Sequence, residues 1–154
     1  RLVVAEATRR GHATVVLARS AGVDLRAGST LLPALDGADA VIDVLSVGTR
    51  SAATSIEFFE ATSSVLLAAE AALGIGHHVA LSIVGVDRAP FDYYAGKVAQ
   101  EALVAGGDVP GSALGGEDRA AAPRPADAHA ADRCARRRRA ARRPRRIVAE
   151  RART

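Results

Sequence analysis

Residues 77–97 read HHVALSIVGVDRAPFDYYAGK, and along this run the sequence changes from one periodicity to another. HHVALSIV has the length and apolar character of a buried parallel strand, and GVDRAP is rich in turn residues. The chain then enters a helix whose later pattern, KVAQEALVAG, continues the same periodicity. A strand that passes through a loop into a helix is the half-unit of an α/β sheet. Tyr93 and Lys97 are four residues apart, which on a helix places them on one face about a turn apart. An ammonium held beside a phenol favours the phenolate and lowers the tyrosine pKa towards the range of a general acid or base. Ser82, at the end of the apolar run, offers a hydroxyl that can hold the oxygen of a carbonyl or alcohol while the phenol exchanges a proton with it. Taken alone, the same spacing also suits an amphipathic ring packed at a helix start and a lysine on a solvated face.

Ser82, an eleven-residue step, then Tyr93-x-x-x-Lys97 resembles the short-chain dehydrogenase/reductase superfamily. The wording GHHVALSIVGVDRAPFDYYAGKVAQEALV is similar to its atypical, NmrA-like NAD(P)-binding branch, and the resemblance covers roughly residues 1–108. It implies an α/β fold, an incomplete Rossmann-like doubly wound parallel sheet, and an NADP-dependent oxidoreductase, NAD being the alternative cofactor. In that role Tyr93 exchanges the proton, Lys97 lowers its pKa and contacts the nicotinamide ribose, and Ser82 orients the substrate oxygen. Some relatives in this branch bind dinucleotide and regulate a partner without catalysis, so a redox-sensing module is a second reading. A remnant without activity is a third.

Outward from this unit, ADAVIDVL at residues 38–45 reads as another buried strand, followed by the loop Ser46, Val47 and Gly48. Ligands of open α/β sheets bind outside the carboxyl ends of the strands, which nominates Val44, Leu45 and Ser46 as cofactor-lining. Asp43 is an unusual charge for such a run: it is either functional or sits where burial ends. ATVVLA at residues 13–18 is a third strand, ending at Arg19 and Ser20. At that place in a dinucleotide fold an arginine accommodates a 2′-phosphate, so Arg19 points to NADP, and Ser20 joins it as a cofactor contact. A surface charge at a strand end is the alternative. VDLRAG is read as a short edge strand, and Ser29 or Thr30 as the cap of a brief helix through TLLPAL with Pro33 in its first turn. Residues 53–73 form a long helix ended by Gly74, with Ile56, Phe59, Val65, Leu66 and Ala69 towards the sheet. Phe58 and Phe59 are read as core. His77 and His78, adjacent on a strand, point to opposite faces and are read as structural, with no metal site.

The two ends differ from this body. The opening RLVVAEATRRGH reads as the later part of a helix with Gly11 at its C-cap, and no methionine occurs in the 154 residues. The first strand and glycine-rich turn of a dinucleotide fold are therefore expected to be missing. That absence would leave a gap between the strand ending at Arg19 and the strand ending near Leu45. Residues 1–108 carry 8 Arg or Lys against 12 Asp or Glu, net −4, whereas residues 109–154 carry 13 against 5, net +8. This division separates a partial NAD(P)-binding domain, 1–108, from an Arg/Ala/Pro-rich tail, 109–154. The tail lacks aromatics and nearly all large aliphatics, which favours disorder. Its composition fits best a GC-rich gene read out of frame just after Pro110, with a disordered extension second and binding to nucleic acid a distant third. The expected partners are thus a dinucleotide and a small-molecule substrate. No apolar run has the ~18 residues of a membrane span. Cys134, the one cysteine, excludes an internal disulfide framework, and the cytoplasm is the expected compartment.

Overall fold

The computed structural model describes residues 2–25, 28–115 and 146–150. Five strands, β1 (Ala13–Leu17), β2 (Ala40–Asp43), β3 (His77–Leu81), β4 (Gly111–Leu114) and β5 (Arg146–Glu150), form one sheet in the order β1-β5-β2-β3-β4. Every pairing in it is parallel. Among the described residues four α-helices accompany them: α1 (Leu2–Arg9), α2 (Gly28–Leu35), α3 (Ala52–Leu73) and α4 (Asp92–Gly106). All five carboxyl ends therefore lie on one edge, where connecting loops can build a site.

The β-branched and aliphatic content of the strands accounts for the sheet's interior. One lateral row runs Val15, Val148, Val41, His78 and Gly111, and the next contains Leu17, Asp43, Ala80 and Ala113. Leu17, Val41 and Val148 are buried and form part of the core with Leu31, Leu35, Phe59 and Leu66 from α2 and α3, while Ala80 is buried in a second cluster with Leu67 and Val104. Ser51 caps α3, its hydroxyl accepting the Thr54 N–H at 3.3 Å, and Gly74 ends the helix at φ +67, a conformation that favours glycine. The basic last turn of α1 finds a carboxylate: Arg9 and Arg10 both donate to Glu6, at 2.6–2.7 Å.

Helices α3 and α4 pack closely because Gly96 has no side chain. A Cβ there would fall on the Ser55 hydroxyl and 2.6 Å from the Ser55 carbonyl carbon and oxygen. With that approach open, Ser55 Oγ donates to the Tyr93 carbonyl at 2.8 Å and fixes the first turn of α4. Asp92, which opens that turn, has φ +49, the only positive φ among the described non-glycine residues. Aspartate tolerates this region better than most side chains.

Three sequence expectations differ from the structure. The gap expected between β1 and β2 is filled by β5, drawn from the basic tail. Ile147 and Val148 form the tail's one adjacent β-branched pair, and the backbone groups of β1 and β2 find partners on this strand. Asp39 anchors its start, with Oδ2 accepting the Arg146 N–H at 2.7 Å while the Arg146 guanidinium donates to the Asp36 carbonyl at 2.5 Å. Within the same stretch, residues 111–114 are also a strand, paired with β3. Of the tail 109–154, expected to be disordered or out of frame, residues 116–145 and 151–154 lie outside the described residues. In the second case, residues 23–25 of VDLRAG form no strand, their apolar side chains joining the core instead. In the third, α2 begins at Gly28, so Pro33 lies at its sixth position and interrupts the hydrogen-bond ladder of a short helix.

Candidate functional site

The side chains of α4 meet the carboxyl ends of β2 and β3. Tyr93, half-buried in the first turn, donates its hydroxyl to Ser46 Oγ across a long contact of 3.4 Å. Its ring stands edge-on to Phe59, with centroids 5.7 Å apart, and Tyr94 packs beside it at 6.2 Å. Burial raises the Tyr93 pKa above its ordinary value of 10, the Ser46 hydrogen bond pulling the other way and the charge of Asp43 adding to the rise. The phenol is therefore protonated at neutral pH.

Lys97, one turn later, is the chain's single lysine among 21 basic residues, and it is only 3% exposed. Its ammonium has three protons and three acceptors: the Leu81 carbonyl at 2.8 Å, Gln100 Oε1 at 2.9 Å and the Leu45 carbonyl at 3.1 Å. The amine also sits 4.3 Å from the centroid of the Phe59 ring, close enough for a cation–π contact. Burial lowers its pKa to about 8, against the pull of the Asp43 and Glu101 charges. The sequence expectation that Lys97 depresses the Tyr93 pKa is corrected here. The amine turns inward to carbonyls, and desolvation of the phenol dominates its titration. For Lys97 to reach a cofactor ribose, it would first have to release one of its three acceptors.

Beneath the lysine lies a buried polar network. Asp43 accepts the Leu45 N–H on Oδ1 at 2.8 Å and the Gln100 side-chain amide on Oδ2 at 2.7 Å. Burial raises the Asp43 pKa, opposed by these hydrogen bonds and by His78 and Lys97. His78 turns Nδ1 to the Glu70 carboxylate at 2.9 and 3.1 Å, while its Nε2 has no hydrogen-bond partner and lies 4.0 Å from Asp43 Oδ2. Burial likewise raises the Glu70 pKa, against the pull of His78. His77 points the other way, exposed and bonded to Ser112 Oγ at 3.2 Å, as strand alternation requires. Among the described residues no group of three or more His, Cys, Asp or Glu side chains could hold a metal ion.

Of the residues singled out in the sequence, the structure brings Tyr93, Ser46, Leu45 and Lys97 together. Val44 is part-buried beside them at the end of β2. Ser82 is turned away: its hydroxyl donates to the Glu101 carboxylate of α4, in a very short hydrogen bond, and the hydroxyl that meets the phenol is that of Ser46. Arg19 and Ser20 lie exposed in a short turn (Arg19–Ala21) after β1, separated from Tyr93 by β5 and β2. Phe59, Gln100, Glu101 and Glu70 are site or support residues that sequence reasoning missed or took for ordinary core and helix. The charge of Asp43 inside an apolar strand was the signal that a buried partner must exist. Gln100 and Glu101, at i+3 and i+4 from Lys97, lay on the helical positions where those partners could be sought.

Large apolar side chains are exposed at the same end of the sheet: Leu81, Val84, Phe91, Tyr94 and Leu114. Among the described residues no helix is long and apolar enough to cross a membrane. Comparison with protein-family models and with curated proteins finds no match to this chain.

Proposed function

We propose that this chain is an oxidoreductase domain of the atypical short-chain type, acting in the cytoplasm with NADP on a carbonyl or alcohol. The observation that carries this reading is the meeting of the Tyr93 hydroxyl, the Ser46 hydroxyl and the sole lysine at the carboxyl ends of β2 and β3. Arg19 suits a 2′-phosphate at the end of β1, and Ser46 and Val44 suit the neighbouring ribose and nicotinamide. No glycine-rich turn for the pyrophosphate lies on this edge among the described residues, so the fit rests on the adenosine and ribose contacts. A bound nicotinamide dinucleotide supplies the hydride.

The chain's own residues handle the proton. Tyr93, protonated at neutral pH, donates to the oxygen of a carbonyl as that oxygen gains charge, and in the reverse direction the phenolate takes the proton back. Ser46 Oγ, already beside the phenol, positions the same oxygen. The Lys97 ammonium, held under the Phe59 ring, would offset the charge left on the phenolate once it has released one of its three protein acceptors. The exposed Leu81, Val84, Phe91, Tyr94 and Leu114 favour an apolar or aromatic substrate over a sugar-like one.

A second reading, a dinucleotide-binding redox sensor without turnover, is favoured by the saturation of Lys97 with protein acceptors. NADPH binding followed by fluorescence, and NADPH consumption with a panel of quinones and aromatic aldehydes, separate the two. Binding with consumption supports the oxidoreductase; tight binding without consumption supports the sensor; absence of binding overturns both.

A further inference from the structure

We propose that Asp43 is a positioning residue of this site, one that orients Gln100 and the Leu45 peptide so that both present oxygens to Lys97. This rests on the reading of Tyr93 and Lys97 as the reacting pair. Both Asp43 oxygens act as acceptors, Oδ1 from the Leu45 N–H and Oδ2 from the Gln100 amide, as a carboxylate's would. Once Gln100 Nε2 is committed to Asp43, its Oε1 is left facing Lys97, and the fixed Leu45 peptide supplies a second oxygen. An uncompensated ammonium at 3% exposure would be costly, and Asp43 supplies the opposite charge through one intervening amide. The fully buried Asp43 touches neither the phenol nor the edge where a substrate would lie, so it acts through Gln100 and Lys97.

The other titratable groups around the pair come from every packed element. Glu101 and Tyr93 share α4 with Lys97, Glu70 stands on α3, and His78 on β3 faces Asp43 at 4.0 Å. Glu70 is taken up by His78 and Glu101 by Ser82, which leaves Asp43 as the carboxylate hydrogen-bonded into the lysine's own shell.

The hydrogen-bond pattern makes a specific forecast for Asp43→Asn. The introduced amide has one acceptor and one donor. If its oxygen keeps the Leu45 N–H, its NH2 meets the Gln100 NH2, and Gln100 must turn over and present a donor to Lys97. The pair Asp43→Asn/Gln100→Glu restores the pattern at the same net charge, because the new carboxylate at position 100 can accept from both sides.

The test is the ¹³Cε titration of lysine in the full chain, where one lysine gives one side-chain signal. Asp43→Asn is expected to lower the proton affinity of Lys97 at least tenfold, and the paired variant to bring it back to within about threefold of the unchanged protein. An unchanged midpoint in Asp43→Asn, or a folded paired variant that is not restored, overturns the proposal. Should the variants not fold, the unchanged protein decides: the Asp43 Cγ and Gln100 amide signals must follow the Lys97 titration, and their indifference to it overturns the proposal. Because the readout is independent of turnover, failure of the oxidoreductase reading would appear separately, as absence of NADPH binding with the Lys97 coupling intact.

Discussion

Lys97 pays for its position in proton affinity. Its amine is removed from water and held by two carbonyls and an amide oxygen, yet its pKa falls to about 8 because burial outweighs the nearby carboxylates. The folded state therefore binds fewer protons than the unfolded one between about pH 8 and the ordinary lysine value of 10.5. Unfolding free energy must rise with pH across that window, by up to about 3 kcal/mol if the full shift is expressed. Tyr93 acts in the opposite sense, its raised pKa withdrawing stability only above pH 10. Urea denaturation at pH 7.5, 8.5 and 9.5 should show the rise in the unchanged protein and lose it in Lys97→Met. Arg19 makes a separate forecast at this scale: if the proposed NADP site is right, Arg19→Glu should weaken NADPH binding at least tenfold and leave NADH binding within about threefold, since the charge would meet only the extra phosphate.

The junction between α3 and α4 places the phenol. Gly96 and Ser55 are its two halves, the first by having no Cβ and the second by bonding the Tyr93 carbonyl. In Gly96→Ala the added carbon meets backbone, which cannot move aside, and overpacking of this kind costs about 1–3 kcal/mol. Ser55→Ala removes one hydrogen bond and should cost about 1 kcal/mol. Thermal denaturation should rank the two in that order. The long helix is legible in the sequence: expected over residues 53–73, it spans Ala52–Leu73, with Gly74 as its stop. The strand ahead of the Tyr-Lys helix was legible in its start and type, because an apolar run, a turn cluster and a helical repeat are local signals, but it stops at Leu81 and not at Val84 where the apolar run ends. The partner of Ser82 was not legible. Glu101 lies nineteen residues away, and whether a serine at a strand end faces the phenol or the next helix turn depends on how α4 rolls against the sheet. That roll is set by Gly96, and no periodicity in the chain reports it.

At the scale of the whole molecule the notable feature is the interior strand next to the β1 edge. β5 comes from the far end of the chain and lies between β1 and β2, where a gap was expected. Average composition concealed it: a stretch dominated by arginine and alanine contains Ile147 and Val148, and five residues suffice for a strand. Sheet pairing is non-local, so the need for a strand at this place could be inferred from the body, but not which residues would fill it. Val148 is fully buried in the row with Val41 and His78, so Val148→Asp puts an unpaired carboxylate into the core. It should destabilise by more than about 3 kcal/mol, checked by denaturation.

The convergence of Tyr93, Ser46 and Lys97 at the carboxyl edge of that sheet implies that the Tyr93 phenol is the proton donor, which single-turnover oxidation of NADPH with an aromatic aldehyde at pH 7 would reveal. In Tyr93→Phe the rate should fall at least 100-fold, within the range for loss of a general acid, with NADPH affinity unchanged. An equal rate in the two proteins would contradict the assignment of Tyr93 as the proton donor.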